Sequence, residues 1–123
     1  MKLQGKSIRP FIGAKDYTVS RQFYKDLGFE EVVTSPKMSY FFMGRFGFYL
    51  QDAYVKDWVD NSMIFFEVDD LENTLTNIKS LKLTETYDNV RLSDIVNNDW
   101  GNEFFLHDPS GILWHFGDFK PRR

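Results

Sequence analysis

Apolar residues along this chain fall into short blocks whose spacing alternates between about two and about four, the periods of strand and helix. Ile8 to Ala14 is a short apolar segment fit for a strand. Asp16 or Thr18 can cap a helix from about Tyr17 to Leu27, and Gly28 is its stop signal. Val19, Phe23 and Leu27 recur at four-residue spacing with Tyr24 beside them, which gives this helix its buried face. Phe29 to Thr34, Ser39 to Met43 and Phe46 to Gln51 then read as strands, the last two joined at Gly44-Arg45. The first half is therefore β-α-β-β-β.

After a polar linker around Asp52 to Asn61 the order starts again. Met63 to Val68 reads as a strand, and Asp69 or Asp70 caps a helix to about Leu81 with Leu71, Leu75 and Ile78 as its apolar stripe. Leu83 to Tyr87, Glu103 to His107 and Ile112 to Phe116 supply three further strands, the last two joined by Asp108-Pro109-Ser110-Gly111. Pro109 presets a turn angle and Gly111 can take a positive one, so this pair reads as an antiparallel hairpin. The stretch Asp88 to Gly101 is polar but carries Val90, Leu92, Ile95, Val96 and Trp100, and reads either as a binding loop or as a surface connection. The pattern predicts one α+β domain over residues 1–123, built from two βαβββ modules at about 8–51 and 62–118.

Period-two counting separates two faces. Tyr49, Met63, Phe65, Glu67, Leu113 and His115 share one, assigned to a cavity; Phe48, Leu50, Ile64, Phe66, Ile112, Trp114 and Phe116 share the other, under the helices. Thirteen Phe, six Tyr and three Trp exceed what a minimal core needs, so part of the aromatic surface is expected to line a pocket or an interface. A formal charge of −3 provides no basic stripe for phosphates and argues against nucleic acid as a partner. Without cysteine there is no disulfide, thiolate metal site or cysteine nucleophile. No stretch approaches membrane-spanning length and the N-terminus lacks the apolar core of a signal peptide, so the expectation is a cytoplasmic protein without membrane contact.

Three local sequences carry a resemblance. Phe23-Tyr24-Lys25-Asp26-Leu27-Gly28-Phe29, Glu67-Val68-Asp69-Asp70-Leu71 and the Asp108-Pro109-Ser110-Gly111 turn resemble, in order and spacing, motifs of the vicinal oxygen chelate superfamily, which holds glyoxalases, extradiol dioxygenases and bleomycin-resistance proteins. The resemblance spans Ile8 to Phe116 and implies a curved mixed sheet with a cleft. In metal-using members one ligand comes from each of four strands; counting from the motifs puts Arg9, Tyr49, Met63 and His115 at those positions, and only His115 is a competent ligand. A divalent ion needs three or four converging donors, and an arginine repels it, so the resemblance implies neither metal nor other cofactor here. Glu67 and Glu103 are the donors that could join His115 in a different site; each is otherwise a salt-bridge or solvent residue.

Among metal-free members the chain resembles the bleomycin-resistance proteins, which bind a drug rather than transform it. That resemblance implies a homodimer holding a flat ligand in an aromatic crevice, with Tyr49, Trp58, Phe65, Trp100 and Glu103 as candidates by residue type and position. Arg9, Met63 and His115 complete the expected ligand-binding set, and an Arg9-His115 pair at the cavity centre would instead favour an anionic ligand. Two bland readings stand beside these roles: His115 as a neutral imidazole within a packed sheet, and Arg9 in an ion pair with a carboxylate. The alternatives are a metal-independent enzyme using His115 as acid or base with Tyr49 or Arg9 polarising the substrate, and a protein-interaction module.

Overall fold

The computed structural model describes residues 2–120, with elements β1 (Phe11–Gly13), α1 (Tyr17–Leu27), β2 (Glu30–Ser35), β3 (Met38–Met43), β4 (Phe46–Gln51), α2 (Lys56–Asp60), β5 (Met63–Glu67), α3 (Leu71–Ser80), α4 (Leu83–Thr86), β6 (Arg91–Leu92), β7 (Val96–Asn97), β8 (Gly101–His107) and β9 (Leu113–Phe119). They build two sheets of matching topology, β1-β4-β3-β2 and β5-β9-β8-β6, with β7 as an extra partner of β8. In each sheet the first strand lies parallel to the last and the remaining pairs are antiparallel. The repeat expected from element order is thus a repeat of connectivity.

Each long helix is fixed at its ends by local chemistry. The Asp16 carboxylate accepts from the Val19 N–H to cap α1, and Gly28, at φ 118°, closes it with its N–H on the Lys25 and Tyr24 carbonyls. Asp70 caps α3 in the same way through the Asn73 N–H. The buried face of α1 is Tyr17, Ser20, Phe23 and Tyr24, rotated from the expected Val19-Phe23-Leu27 stripe: Val19 is exposed and Leu27 half-buried. Helix α3 buries Leu71, Leu75 and Ile78 as expected and packs on β8 and β9.

The modules share one aromatic core. Tyr24 and Phe29 contact Phe48 from the first sheet and Trp114 from the second, with ring centroids 4.9 to 5.7 Å apart. The set assigned to the core lies there, with Phe48, Leu50, Ile112, Trp114 and Phe116 buried, and Ile64 and Phe66 packed against them. The connection is also polar: Trp114 Nε1 donates to the Tyr24 hydroxyl, which donates to Asp108 at 2.6 Å, while the hydroxyls of Ser20 and Ser110 lie 3.3 Å apart.

Several element assignments change. Leu83 to Tyr87 is not a strand: Lys82, at φ 58°, ends α3, and the chain re-enters a helical turn, α4, in which only Leu83 is buried. The second strand of the second module is instead β6, inside the stretch expected to be a loop. The 52–61 linker contains α2, held against β1 by the single buried anchor Val59. The first strand is confined to Phe11–Gly13, and residues 2–10 ahead of it are exposed throughout. Among the described residues no helix is long and apolar enough to cross a membrane.

Candidate functional site

Alternation leaves each sheet a second face, turned away from the shared core. On the first sheet, Phe11, Tyr49 and Tyr40 lie side by side across three strands, and Phe11 stacks on Tyr49 with centroids 4.7 Å apart. The Arg9 guanidinium sits 4.1 Å above the Tyr40 ring and donates to the Tyr49 hydroxyl at 3.0 Å. Its partners are aromatic rings and a phenol, which corrects the expected ion pair with a carboxylate.

On the second sheet the centre is His115. Its Nδ1 lies 2.8 Å from Glu103 Oε1, and Glu103 Oε2 accepts from the Asn98 amide at 2.8 Å. An ionised carboxylate only accepts, so Nδ1 carries the proton, and in the neutral ring Nε2 is left with the lone pair. Nε2 lies 3.5 Å from the sulfur of Met63, and the ring stands between Phe65 and Phe105, at 6.3 and 5.1 Å. His115 is thus a half-buried imidazole hydrogen-bonded within the sheet, as one of the two expected readings had it, with its second nitrogen facing the Met63 sulfur. Beside it Phe65, Trp100 and Phe119 form a triangle with centroids 5.4 to 5.8 Å apart, and all three remain at least 40% exposed. The Phe65 ring lies over Gly117, where a Cβ would come within 2.6 Å of it.

Phe65 also borders a groove of about 410 Å³ along the seam between the sheets, lined by Pro10, Phe46, Phe48, Phe66 and Trp114, with Glu67 as its acid. That volume suits a small organic molecule.

The candidate residues thus divide. Met63, Phe65, Trp100, Glu103 and His115 meet on the second sheet; Arg9 and Tyr49 meet on the first. The structure does not join Arg9 to His115: their polar partners belong to different sheets. Trp58 stands apart on α2, 72% exposed and stacked on no other ring among the described residues. The four positions implied for metal fall into the same two pairs, and no group of three or more His, Cys, Asp or Glu converges among the described residues. With Glu103 already shared between His115 and Asn98, these donors do not fit a divalent ion.

Comparison with solved structures follows the same architecture. A bleomycin-binding protein solved with bleomycin aligns over 94% of this chain and 100% of its own, at 21% identity and a TM-score of 0.78. The chain has the fold of the bleomycin-binding proteins. The bleomycin-binding protein of Streptomyces verticillus, solved with copper(II)-bleomycin, aligns over 97% and 100% at 17% identity and a TM-score of 0.78. A transposon-encoded bleomycin resistance determinant aligns over 95% and 100% at 19% identity and a TM-score of 0.80. A lactoylglutathione lyase of Agrobacterium tumefaciens shares the fold at 19% identity and a TM-score of 0.69, covering 93% of this chain and 94% of its own. No family model and no curated protein sequence matches the chain. These likenesses establish the vicinal oxygen chelate fold; its chemistry must be argued from the side chains present.

Sequence reasoning missed four contributors to these faces. Tyr40 was legible by alternation with Phe42, but its contact with Arg9 depends on strand order. Phe119 extends β9 past the expected end at Phe116, because Gly117 interrupts the apolar alternation. Phe105 lies in an expected strand, yet only the β8–β9 register sets it against His115. Asn98 left no sequence signal.

Proposed function

We propose that this protein is a non-catalytic, cytoplasmic small-molecule-binding protein that works as a homodimer and sequesters its ligand in an aromatic crevice, as its bleomycin-binding fold relatives suggest. The observation that carries the reading is the exposed Phe65-Trp100-Phe119 triangle, whose Phe65 also lines the apolar seam groove. Left uncovered, three mutually packed aromatic rings cost solvation free energy; a flat ligand recovers it by stacking. Support for the dimer comes from Leu3, Ile8, Phe11 and Phe46, which one protomer leaves 54 to 94% exposed and a second copy could cover.

Calorimetric titration of metal-free protein tests this. Nickel, zinc and manganese should give no tight one-to-one binding, while copper-free bleomycin should bind with a Kd on the order of micromolar. Tight stoichiometric metal uptake overturns the reading; no heat with bleomycin removes the glycopeptide as the ligand type.

The oriented Glu103–His115 pair favours a second reading, a metal-independent enzyme with His115 Nε2 as acid or base. It requires turnover that titrates with one histidine and disappears in His115→Gln; binding without turnover favours sequestration.

A further inference from the structure

At the outer edge of the second sheet, Arg91 on β6 pairs directly with His107 on β8, and the row continues through Leu113 on β9 to Met63 on β5. The alternate positions Leu106, Trp114 and Ile64 point into the core, so this row lies on the same open face as His115. A shallow groove of about 390 Å³ lies over it, walled by Arg91, Ser93 and His107 and floored by Leu113 and Phe105. No carboxylate lines this groove, and among the described residues Arg91 forms no salt bridge. The nearest acid on the β8 face, Glu103, already has both oxygens engaged. Arg91 therefore faces the His107 imidazole across a strand pair over an apolar floor with no carboxylate to neutralise it, and an acidic group seated there would meet the guanidinium and accept from the ring N–H.

We propose that the Arg91–His107 groove binds the acidic group, carboxylate or phosphate, of an aromatic ligand whose ring system lies across Phe105 and His115 toward Phe65. The inference rests on the small-molecule-binding reading above and deepens it by naming the ligand's chemistry. Spacing permits one molecule to span the face: His107 and His115 are diagonal neighbours about 7–8 Å apart. Phe65 lies one strand further, so the distance from His107 is about 12 Å, the length of a two-ring aryl acid. Burial, and after it the Arg91 charge, hold the His107 pKa below the ordinary histidine value, the expected condition of an imidazole facing an uncompensated cation. The site departs from the sequence expectation, which placed the anion between Arg9 and His115.

The test compares 2-naphthyl phosphate, 2-naphthoate and neutral 2-naphthol by calorimetry on the full chain, with the His107 ring followed by NMR. Both acids should bind about tenfold or more tightly than 2-naphthol and shift the His107 ring signals, phosphate against carboxylate deciding which acid fits. Arg91→Gln, at an exposed edge position, should abolish that advantage while leaving 2-naphthol binding unchanged; Arg9→Gln should alter neither. Phe65→Ala should weaken all three probes. An acid preference that is absent, or that survives Arg91→Gln, overturns the anion site, and if 2-naphthol still binds through Phe65 the crevice reading stands without it. Saturable, Arg91-dependent acid binding untouched by Phe65→Ala keeps the anion site and overturns the crevice. No binding by any probe overturns both.

Discussion

A carboxylate that loses its water on folding must recover its hydrogen bonds from the protein. Asp108 is fully buried, and its Oδ1 accepts from the N–H groups of Ser110, Gly111 and Ile112, each at 2.9 Å. Its Oδ2 takes the Tyr24 hydroxyl, so one side chain organises the hairpin turn and ties it to the helix of the other module. Burial raises the Asp108 pKa above the ordinary range even against these bonds, and raises that of Tyr24 further. Asp108→Ala leaves the Ser110 and Ile112 N–H groups and the Tyr24 O–H without an acceptor, while Gly111 keeps its bond to the residue-108 carbonyl, and should cost about 3–5 kcal/mol in urea unfolding. Asp108→Asn keeps Oδ1 as an acceptor and should cost clearly less. The turn itself was legible from Asp-Pro-Ser-Gly, but its partner Tyr24 was not, because the two residues lie 84 positions apart.

Elements with a repeating apolar pattern and a cap were recoverable from sequence; those resting on one buried residue were not. Helices α1 and α3 have both signals, whereas α2 and α4 each bury a single side chain, Val59 or Leu83, and one anchor defines no period. Strand β6 is two residues long and exists because β8 offers it a free edge. Strand β9 shows how an element shapes the site: it alternates Leu113, His115, Gly117 and Phe119 on the open face, and the missing side chain at Gly117 makes room for the end of the Phe65 ring beside Trp100 and Phe119. Gly117→Ala would place a methyl chiefly against the movable end of the Phe65 ring, with the Asn102 carbonyl oxygen 3.2 Å away as its one rigid neighbour. Stability should change by about 1 kcal/mol or less, while affinity for a flat aromatic probe such as 2-naphthol should fall several-fold by calorimetry. A large loss of stability with unchanged affinity would assign Gly117 to packing alone.

For the whole molecule, two sheets of equal topology share one core and turn their other faces outward. If those faces and the exposed 2–10 segment are completed by a second copy, sedimentation equilibrium should give twice the chain's 14.6 kDa, and removing residues 2–10 should shift the molecule toward the monomer. A monomer at all concentrations would remove the dimer from the functional reading. By itself the sequence determined the two-module α+β fold and its inner and outer strand faces, because periodicity, caps and turn residues act within a few positions of one another. It also put Arg9, Tyr49 and Met63 at three of the four positions that the resemblance implies for metal, and an arginine, a phenol and a thioether are poor donors for a divalent ion. Only the tertiary structure decided that Arg9 belongs with Tyr40 and Tyr49, His115 with Glu103, and Arg91 with His107. Those pairings depend on which strands become neighbours and in what register, and that is fixed by burying the shared aromatic core, a nonlocal condition that no window of the sequence contains.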